Sequence, residues 1–127
     1  MRYIIFLLIL VTFQLQRTSS SEFYNLLNSS DNAVLLDVRV FEEYCESRIP
    51  GAIWAGQKIV LDSLLKELDK NSTFFIYCEV GERSKEVAKI LKKEKINRII
   101  ELEEGFVAWV REDFPIDTER ICNNDNN

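Results

Sequence analysis

The stretch Thr73–Glu94, which reads TFFIYCEVGERSKEVAKILKKE, decides the fold of this chain. It opens with an apolar and aromatic run, FFIY, that is typical of a buried strand. The run stops at Cys78, and Gly81 then breaks the pattern. Ser84 can cap a helix whose apolar residues recur on one face. The stretch therefore predicts a strand, a tight loop and a helix, with Cys78 at the point where the strand ends.

This placement makes Cys78 a candidate nucleophile. The N–H groups of the loop and of the helix N-terminus are expected to converge there, and such a cradle favours an anion such as a thiolate. Arg83 adds a positive charge on the same loop. The alternative is a structural cysteine, because free cysteine is among the most buried residue types. The local pattern leaves both interpretations open, and the rest of the chain favours the reactive one.

Composition excludes several classes of function. The 127 residues suffice for one domain, and 46% of them are hydrophobic. The net charge of −5, from 16 basic and 21 acidic side chains, argues against nucleic acid as a partner. The absence of histidine excludes imidazole bases and histidine-ligated metals. The three cysteines show no CxxC spacing, so neither a metal nor a cofactor is predicted.

The N-terminus resembles a targeting segment. Met1–Arg2 is followed by the apolar block YIIFLLILVTF and then by small polar residues. This pattern predicts a secretory signal peptide over residues 1–19 and export to a periplasm or to the exterior. The apolar block is shorter than the roughly 20 residues of a membrane-spanning helix, so no stable membrane span is predicted. The alternatives are a first buried strand and an uncleaved anchor.

The remaining chain alternates between strand and helix patterns. Further strands are predicted at residues 33–36, 52–55 and 98–102, and further helices from Ser20 or Ser21, around residues 42–44, over 59–68 and from Gly105. This alternation predicts an α/β domain over residues 20–118 with a mostly parallel sheet. The Asn-rich end, residues 119–127, is predicted to be a disordered tail. Sites in such sheets form at the carboxyl ends of strands, where Cys78 is expected.

Three segments carry a family resemblance: LLDVRVFEEYCESRIPGAIWA (35–55), YCEVGERS (77–84) and ELEEGFVAWVREDFPI (101–116). Their order and spacing resemble the signature boxes of rhodanese-homology domains. The resemblance implies a three-layer α/β domain whose central sheet is flanked by helices. It also implies a single-domain sulfurtransferase that takes a sulfane sulfur from a small donor, such as thiosulfate or a persulfide, and passes it to cyanide or a thiol. The family opens with a short strand, for which residues 13–17 are the candidate here.

The resemblance also implies roles for the loop residues. Cys78 matches the position that forms the persulfide. The predicted substrate-binding residues are Glu79, Val80, Gly81, Glu82, Arg83 and Ser84. Asp37 and Arg39 match the DVR box, where a scaffolding role is expected. Attack by a thiolate on sulfur requires no imidazole base, so a chain without histidine can carry out this chemistry.

Glu79 and Glu82 depart from the family's usual neutral or basic loop. Carboxylates beside the sulfur are expected to repel a dianion, which puts thiosulfate in doubt as the natural donor. The alternative is that both carboxylates face solvent and are screened.

Two other functions compete with sulfur transfer. A phosphatase of the same fold would need five residues between cysteine and arginine, whereas four separate Cys78 from Arg83. A non-catalytic module would use the acidic loop to recognise a basic or thiol-bearing protein.

The other two cysteines, Cys45 and Cys122, are expected either to form a disulfide or to remain idle. Both possibilities leave Cys78 as the reactive thiol. The sequence keeps them open because it does not give the distance between the two Cα atoms.

Overall fold

The computed structural model describes residues 4–5 and 12–122. Within them, five strands and five helices follow one another along the chain. The strands are β1 (Gln14–Thr18), β2 (Ala33–Asp37), β3 (Ile53–Trp54), β4 (Thr73–Tyr77) and β5 (Arg98–Leu102). The helices are α1 (Ser20–Ser29), α2 (Phe41–Glu46), α3 (Lys58–Glu67), α4 (Glu82–Lys93) and α5 (Gly105–Arg111).

The strands form one parallel sheet in the order β1-β5-β4-β2-β3. The apolar run of β4 lies at its centre, and all five residues of that strand are buried. Asp37 at the end of β2 lies opposite Tyr77 at the end of β4. This register brings the DVR segment, Asp37–Arg39, next to Cys78. Both lie at the carboxyl edge of the sheet, where β2 and β4 end.

Helices cover both faces of the sheet and create two apolar cores. On one face, α3 and α4 pack Leu61, Leu65 and Leu91 against the strands. On the other, α1 and α5 contribute an aromatic core that includes Phe23 and Trp109. The predicted three-layer α/β architecture with a parallel sheet is therefore confirmed.

The N-terminal boundary differs from the predicted one. The sheet includes β1, which pairs with β5 from Gln14 opposite Arg98 to Thr18 opposite Leu102. The strand therefore lies within residues 1–19, ahead of the predicted domain start at residue 20, and it matches the candidate strand at 13–17. Residues 1–3 and 6–11, which hold most of the predicted signal peptide, lie outside the described residues. In the part that is described, no helix is long and apolar enough to cross a membrane.

The start of α4 also differs from the prediction. The helix begins at Glu82, and Gly81, at φ +87°, occupies the cap position that was assigned to Ser84. The hydroxyl of Ser84 lies inside the first turn and donates back to the Gly81 carbonyl at 3.3 Å. The turn at Gly81 is tight enough to start the helix three residues earlier than a cap at Ser84 would.

Residues 119–122, at the start of the predicted disordered tail, make long-range contacts. The Arg48 guanidinium donates to the Glu119 carbonyl and pairs with Asp117 at 2.8 Å. Cys122 forms a disulfide with Cys45, and their Cα atoms are 5.3 Å apart. The segment is ordered because long-range contacts hold it against α2. Residues 123–127 lie outside the described residues.

Candidate active site

Cys78 follows β4 directly and is only 3% exposed. Its Sγ accepts hydrogen bonds from the N–H groups of Gly81 at 3.1 Å and Ser84 at 3.4 Å. With Cys45 and Cys122 paired, Cys78 is the free thiol of the chain. Two N–H groups directed at one sulfur stabilise negative charge on it, and this arrangement favours the reactive interpretation over the structural one.

The loop can approach the sulfur closely because of Gly81. Its left-handed φ of +87° is a conformation that other residues rarely adopt. A Cβ at this position would also collide with the carbonyl of Glu103. The glycine therefore serves both the turn and the packing of the loop against the segment after β5.

The N-terminus of α5 supports the back of the loop. The N–H of Phe106 donates to the Cys78 carbonyl at 2.8 Å, and the N–H of Val107 donates to the Glu79 carbonyl at 3.1 Å. Gly105, at φ +72°, allows this approach, since a Cβ there would collide with the Glu79 carbonyl. The carbonyls of Cys78 and Glu79 are therefore bound to α5, and the N–H groups of Gly81 and Ser84 face the sulfur.

A buried ion pair lies beside the loop. The Arg39 guanidinium contacts the Asp37 carboxylate at 2.7 Å and donates to the Ser47 carbonyl at 2.6 Å. The Tyr77 hydroxyl donates to the same carboxylate at 2.7 Å and accepts the Ile49 N–H at 3.0 Å. These contacts agree with the scaffolding role expected for Asp37 and Arg39, because they fix the ends of β2 and β4 together.

Burial and the charge of Asp37 determine the protonation of Arg39 and Tyr77. Burial opposes the charge on Arg39, but the hydrogen bond and negative charge of Asp37 outweigh it, and the pKa of Arg39 is raised. Burial, reinforced by Asp37, raises the pKa of Tyr77, so its hydroxyl remains a donor. Arg39 also lies 4.1 Å from the centroid of the Phe106 ring and 3.4 Å from the Glu79 carboxylate. One cation therefore links the DVR segment, α5 and the loop.

An open cavity of about 210 Å³ lies at the loop. Its lining residues come from the segment after β2 and from the loop with the start of α4: Arg39, Val40, Glu43, Cys78, Glu79, Val80, Glu82 and Arg83. Three carboxylates lie among them, and burial together with the charge of Glu79 raises the pKa of Glu43. Arg83 donates to the Gly56 carbonyl at 2.9 Å. The cavity thus combines a thiol with an excess of acidic groups.

The structure places the predicted site residues in two groups. Gly81 and Ser84 contact the sulfur, whereas the other predicted substrate-binding residues line the cavity: Glu79, Val80, Glu82 and Arg83. Sequence reasoning missed Val40 and Glu43. Their position just after β2, the strand next to β4, was the available signal, since adjacent parallel strands end at the same edge.

The sequence matches the family model of the rhodanese-like domain over residues 19–112. It is 31% identical to the "putative sulfur carrier protein YrkF" of Bacillus subtilis, with 72% of this chain and 49% of that protein covered. It is 28% identical to a sulfurtransferase of Allochromatium vinosum, with 71% and 83% covered. The chain thus spans about half of the first relative and most of the second.

Solved structures show the same fold. A rhodanese-like domain protein from Staphylococcus aureus has a TM-score of 0.64 and 28% identity, with 74% of this chain and 90% of that chain covered. The rhodanese-like domain of the Anabaena Alr3790 protein has a TM-score of 0.73 at 18% identity, with 87% and 86% covered. At that identity the second likeness concerns the fold alone. Since the family match runs from the cap of α1 to the end of α5, this chain belongs to the rhodanese-like domain family.

Proposed function

We propose that this protein is a sulfurtransferase that carries a sulfane sulfur as a persulfide on Cys78. The observation that best supports this function is the free Cys78 thiol. Its Sγ accepts hydrogen bonds from two backbone N–H groups and lies beside an open cavity. Relatives named sulfurtransferases and membership of the family support the same class of reaction.

The reaction has two steps that balance without an added oxidant or reductant. The Cys78 thiolate attacks the sulfane sulfur of the donor, and the electron pair of the broken S–S bond leaves with a thiolate, or with sulfite when the donor is thiosulfate. A thiolate or cyanide acceptor then attacks the outer sulfur of the persulfide. The S–S bond to Cys78 breaks, and the enzyme thiolate is regenerated. The N–H groups of Gly81 and Ser84 stabilise the negative sulfur at both ends of this cycle.

The charges around the cavity favour a particular class of donor. Glu43, Glu79 and Glu82 contribute carboxylates, while the charge of Arg39 is largely engaged by buried Asp37. A dianion such as thiosulfate is therefore a poor fit, and a persulfide on a neutral or basic carrier is a better one. Val80, 58% exposed at the rim, gives such a carrier an apolar contact.

A phosphatase is less well supported by the same geometry. Four residues rather than five separate Cys78 from Arg83, whose guanidinium is engaged with the Gly56 carbonyl. Three carboxylates at the cavity oppose the binding of a phosphate ester.

We also propose that the protein is exported. The basic start and apolar block support a signal peptide, and the Cys45–Cys122 disulfide is of the kind that persists in oxidising compartments. Because β1 is part of the sheet, cleavage must lie before Gln14. Sequencing the N-terminus of protein recovered outside the cytoplasm tests this. A full-length chain beginning at Met1 in soluble intracellular protein would contradict it.

Turnover measurements test the catalytic proposal. Purified protein is given thiosulfate or cysteamine persulfide, whose carrier is basic, as donor and cyanide as acceptor, and thiocyanate is measured. We expect turnover that is faster with the persulfide and is abolished in Cys78→Ser. The Cys45→Ser/Cys122→Ser double variant is the matched control and should retain it. Absence of turnover with both donors would instead support the non-catalytic module.

A further inference from the structure

β1 places the side chain of Arg17 directly behind the sulfur-transfer loop, residues 78–83. Its Nη2 donates to the carbonyl of Gly81 at 3.2 Å and to that of Glu103 at 3.3 Å. One guanidinium therefore joins the N-terminal strand, the loop and the segment after β5. These contacts span 64 and 86 residues of the chain.

The contact with Gly81 is significant because of what Gly81 does on its other side. Its N–H donates to the Cys78 sulfur, while its carbonyl accepts from Arg17. The carbonyls of Cys78 and Glu79 are held by the backbone of α5. The carbonyl of Gly81 instead accepts hydrogen bonds from two side chains, those of Arg17 and Ser84. A glycine has wide conformational freedom, and contacts that hold its carbonyl restrict the backbone rotations that would turn its N–H group away from the sulfur.

Glu101 on β5 in turn holds Arg17. The two residues lie opposite each other in the parallel register, and Arg17 Nε is 3.4 Å from Glu101 Oε2, an ion-pair contact in which Nε makes no hydrogen bond. The Glu101 side chain is only 2% exposed, and its Oε1 is buried without a hydrogen-bond partner among the described residues. A buried, incompletely paired carboxylate costs free energy and adds little to stability. A role in orienting Arg17 accounts for its presence at this position.

We propose that Arg17 is a positioning residue for sulfur transfer, held by Glu101, which fixes Gly81 so that its N–H points at the Cys78 sulfur. This inference rests on the proposed function only in that the loop serves sulfur transfer. Arg17 does not touch the sulfur and acts through Gly81.

The test measures the reactivity of Cys78 without any sulfur donor. The second-order rate of Cys78 alkylation by iodoacetamide is followed against pH in wild type and Arg17→Met. Losing a charged donor to Gly81 should slow alkylation at neutral pH by roughly tenfold and move its half-maximal rate to higher pH. Arg17→Lys keeps the charge and should restore part of the rate. A purely structural role for Arg17 would leave the pH profile in place.

Arg98→Met is the matched control, because it removes the same charge from an exposed position on β5 and should alkylate like wild type. Glu101→Gln is the second variant if Arg17→Met does not fold, and its profile should move in the same direction. Wild-type rates and pH profiles in the folded Arg17 and Glu101 variants would overturn the proposal. A wild type that never accepts sulfur would defeat the proposed function and leave this comparison intact.

Discussion

At the scale of single residues, the surroundings of Cys78 depend most on Gly81. Its N–H faces the sulfur, its carbonyl faces Arg17, and its φ of +87° starts α4. The C-x-x-G-x-R-S pattern is enough to predict this glycine in the loop. It could not reveal Arg17, which belongs to a polar strand 64 residues earlier in the chain.

Gly81→Ala should destabilise the fold and disturb the thiol. The left-handed φ alone costs about 1–2 kcal/mol, and the Cβ would also collide with the Glu103 carbonyl. Gly51→Ala is the matched control, since Gly51 has φ +83° but nothing lies within 4 Å of its Cβ position. Denaturant unfolding should show a larger loss of unfolding free energy for Gly81→Ala than for Gly51→Ala. Only Gly81→Ala should slow the alkylation of Cys78. Equal losses with unchanged alkylation would contradict the packing argument.

The two loop carboxylates should differ in their effect on thiosulfate. The Glu79 side chain is 41% exposed and contacts Arg39, whereas that of Glu82 is 77% exposed and pairs with Lys85. Glu79→Gln removes a partly shielded charge and frees Arg39, so its thiosulfate rate should rise by roughly tenfold. Glu82→Gln should change the rate little because solvent screens it.

The second-order rates of reaction with thiosulfate, measured at low and high salt, test whether the two carboxylates differ in this way. The gain for Glu79→Gln should be largest at low salt. Unchanged rates in both variants at low salt would mean that the carboxylates do not govern the choice of donor.

At the scale of elements, β1 is a strand that hydrophobic patterns in the sequence do not predict. Strands β2, β4 and β5 are predictable because burial on both faces requires continuous apolar runs. β1, QLQRT, pairs on one side only and leaves Leu15 44% exposed, so its sequence carries no such run. Composition therefore places it at the end of a signal peptide, and the family resemblance alone indicates a strand there, although β1 carries the Arg17 that supports the loop.

The effect of the Glu101 charge on stability should appear when the free energy of unfolding of the wild type is compared with that of Glu101→Gln. Burial raises the pKa of Glu101, although the charge of Arg17, the Ser84 side chain and the charge of Lys85 lower it and Glu103 adds to the rise. The folded protein then binds this proton more tightly than the unfolded chain. The stability of the wild type relative to Glu101→Gln should therefore be greatest below the ordinary carboxyl pKa and should fall as pH rises through the raised pKa.

The measurement is the free energy of unfolding of both proteins from below the ordinary carboxyl pKa to neutral pH. A stability difference that stays constant, or that favours the wild type more at neutral pH, would contradict the direction of the shift.

At the scale of the whole molecule, the three signature segments suffice to predict the three-layer architecture, because they fix the central strands and the loop. The C-terminal boundary was not predictable from composition. An Asn-rich end normally indicates disorder, but Arg48 and the Cys45–Cys122 disulfide hold residues 119–122 in place. Both contacts join distant parts of the chain, so no local pattern reports them.

Removing this disulfide should lower the stability of the whole domain. The bond closes a loop with a sequence separation of 77 residues, so Cys45→Ser/Cys122→Ser should lose about 2–4 kcal/mol of unfolding free energy. Cys78→Ser is the control for a cysteine replacement outside the bond. Denaturant unfolding of the three proteins without reductant measures the difference. Equal stability of wild type and the double variant would contradict a structural role for the bond.

The most direct test of persulfide formation is intact-mass measurement followed by peptide mapping after exposure to cysteamine persulfide. The wild type should gain the mass of one sulfur atom, located on the peptide that contains Cys78 and removed by cyanide. Cys78→Ser should gain none. A sulfur adduct that persists in Cys78→Ser, or a wild type that gains none from either the persulfide or thiosulfate, would contradict the account.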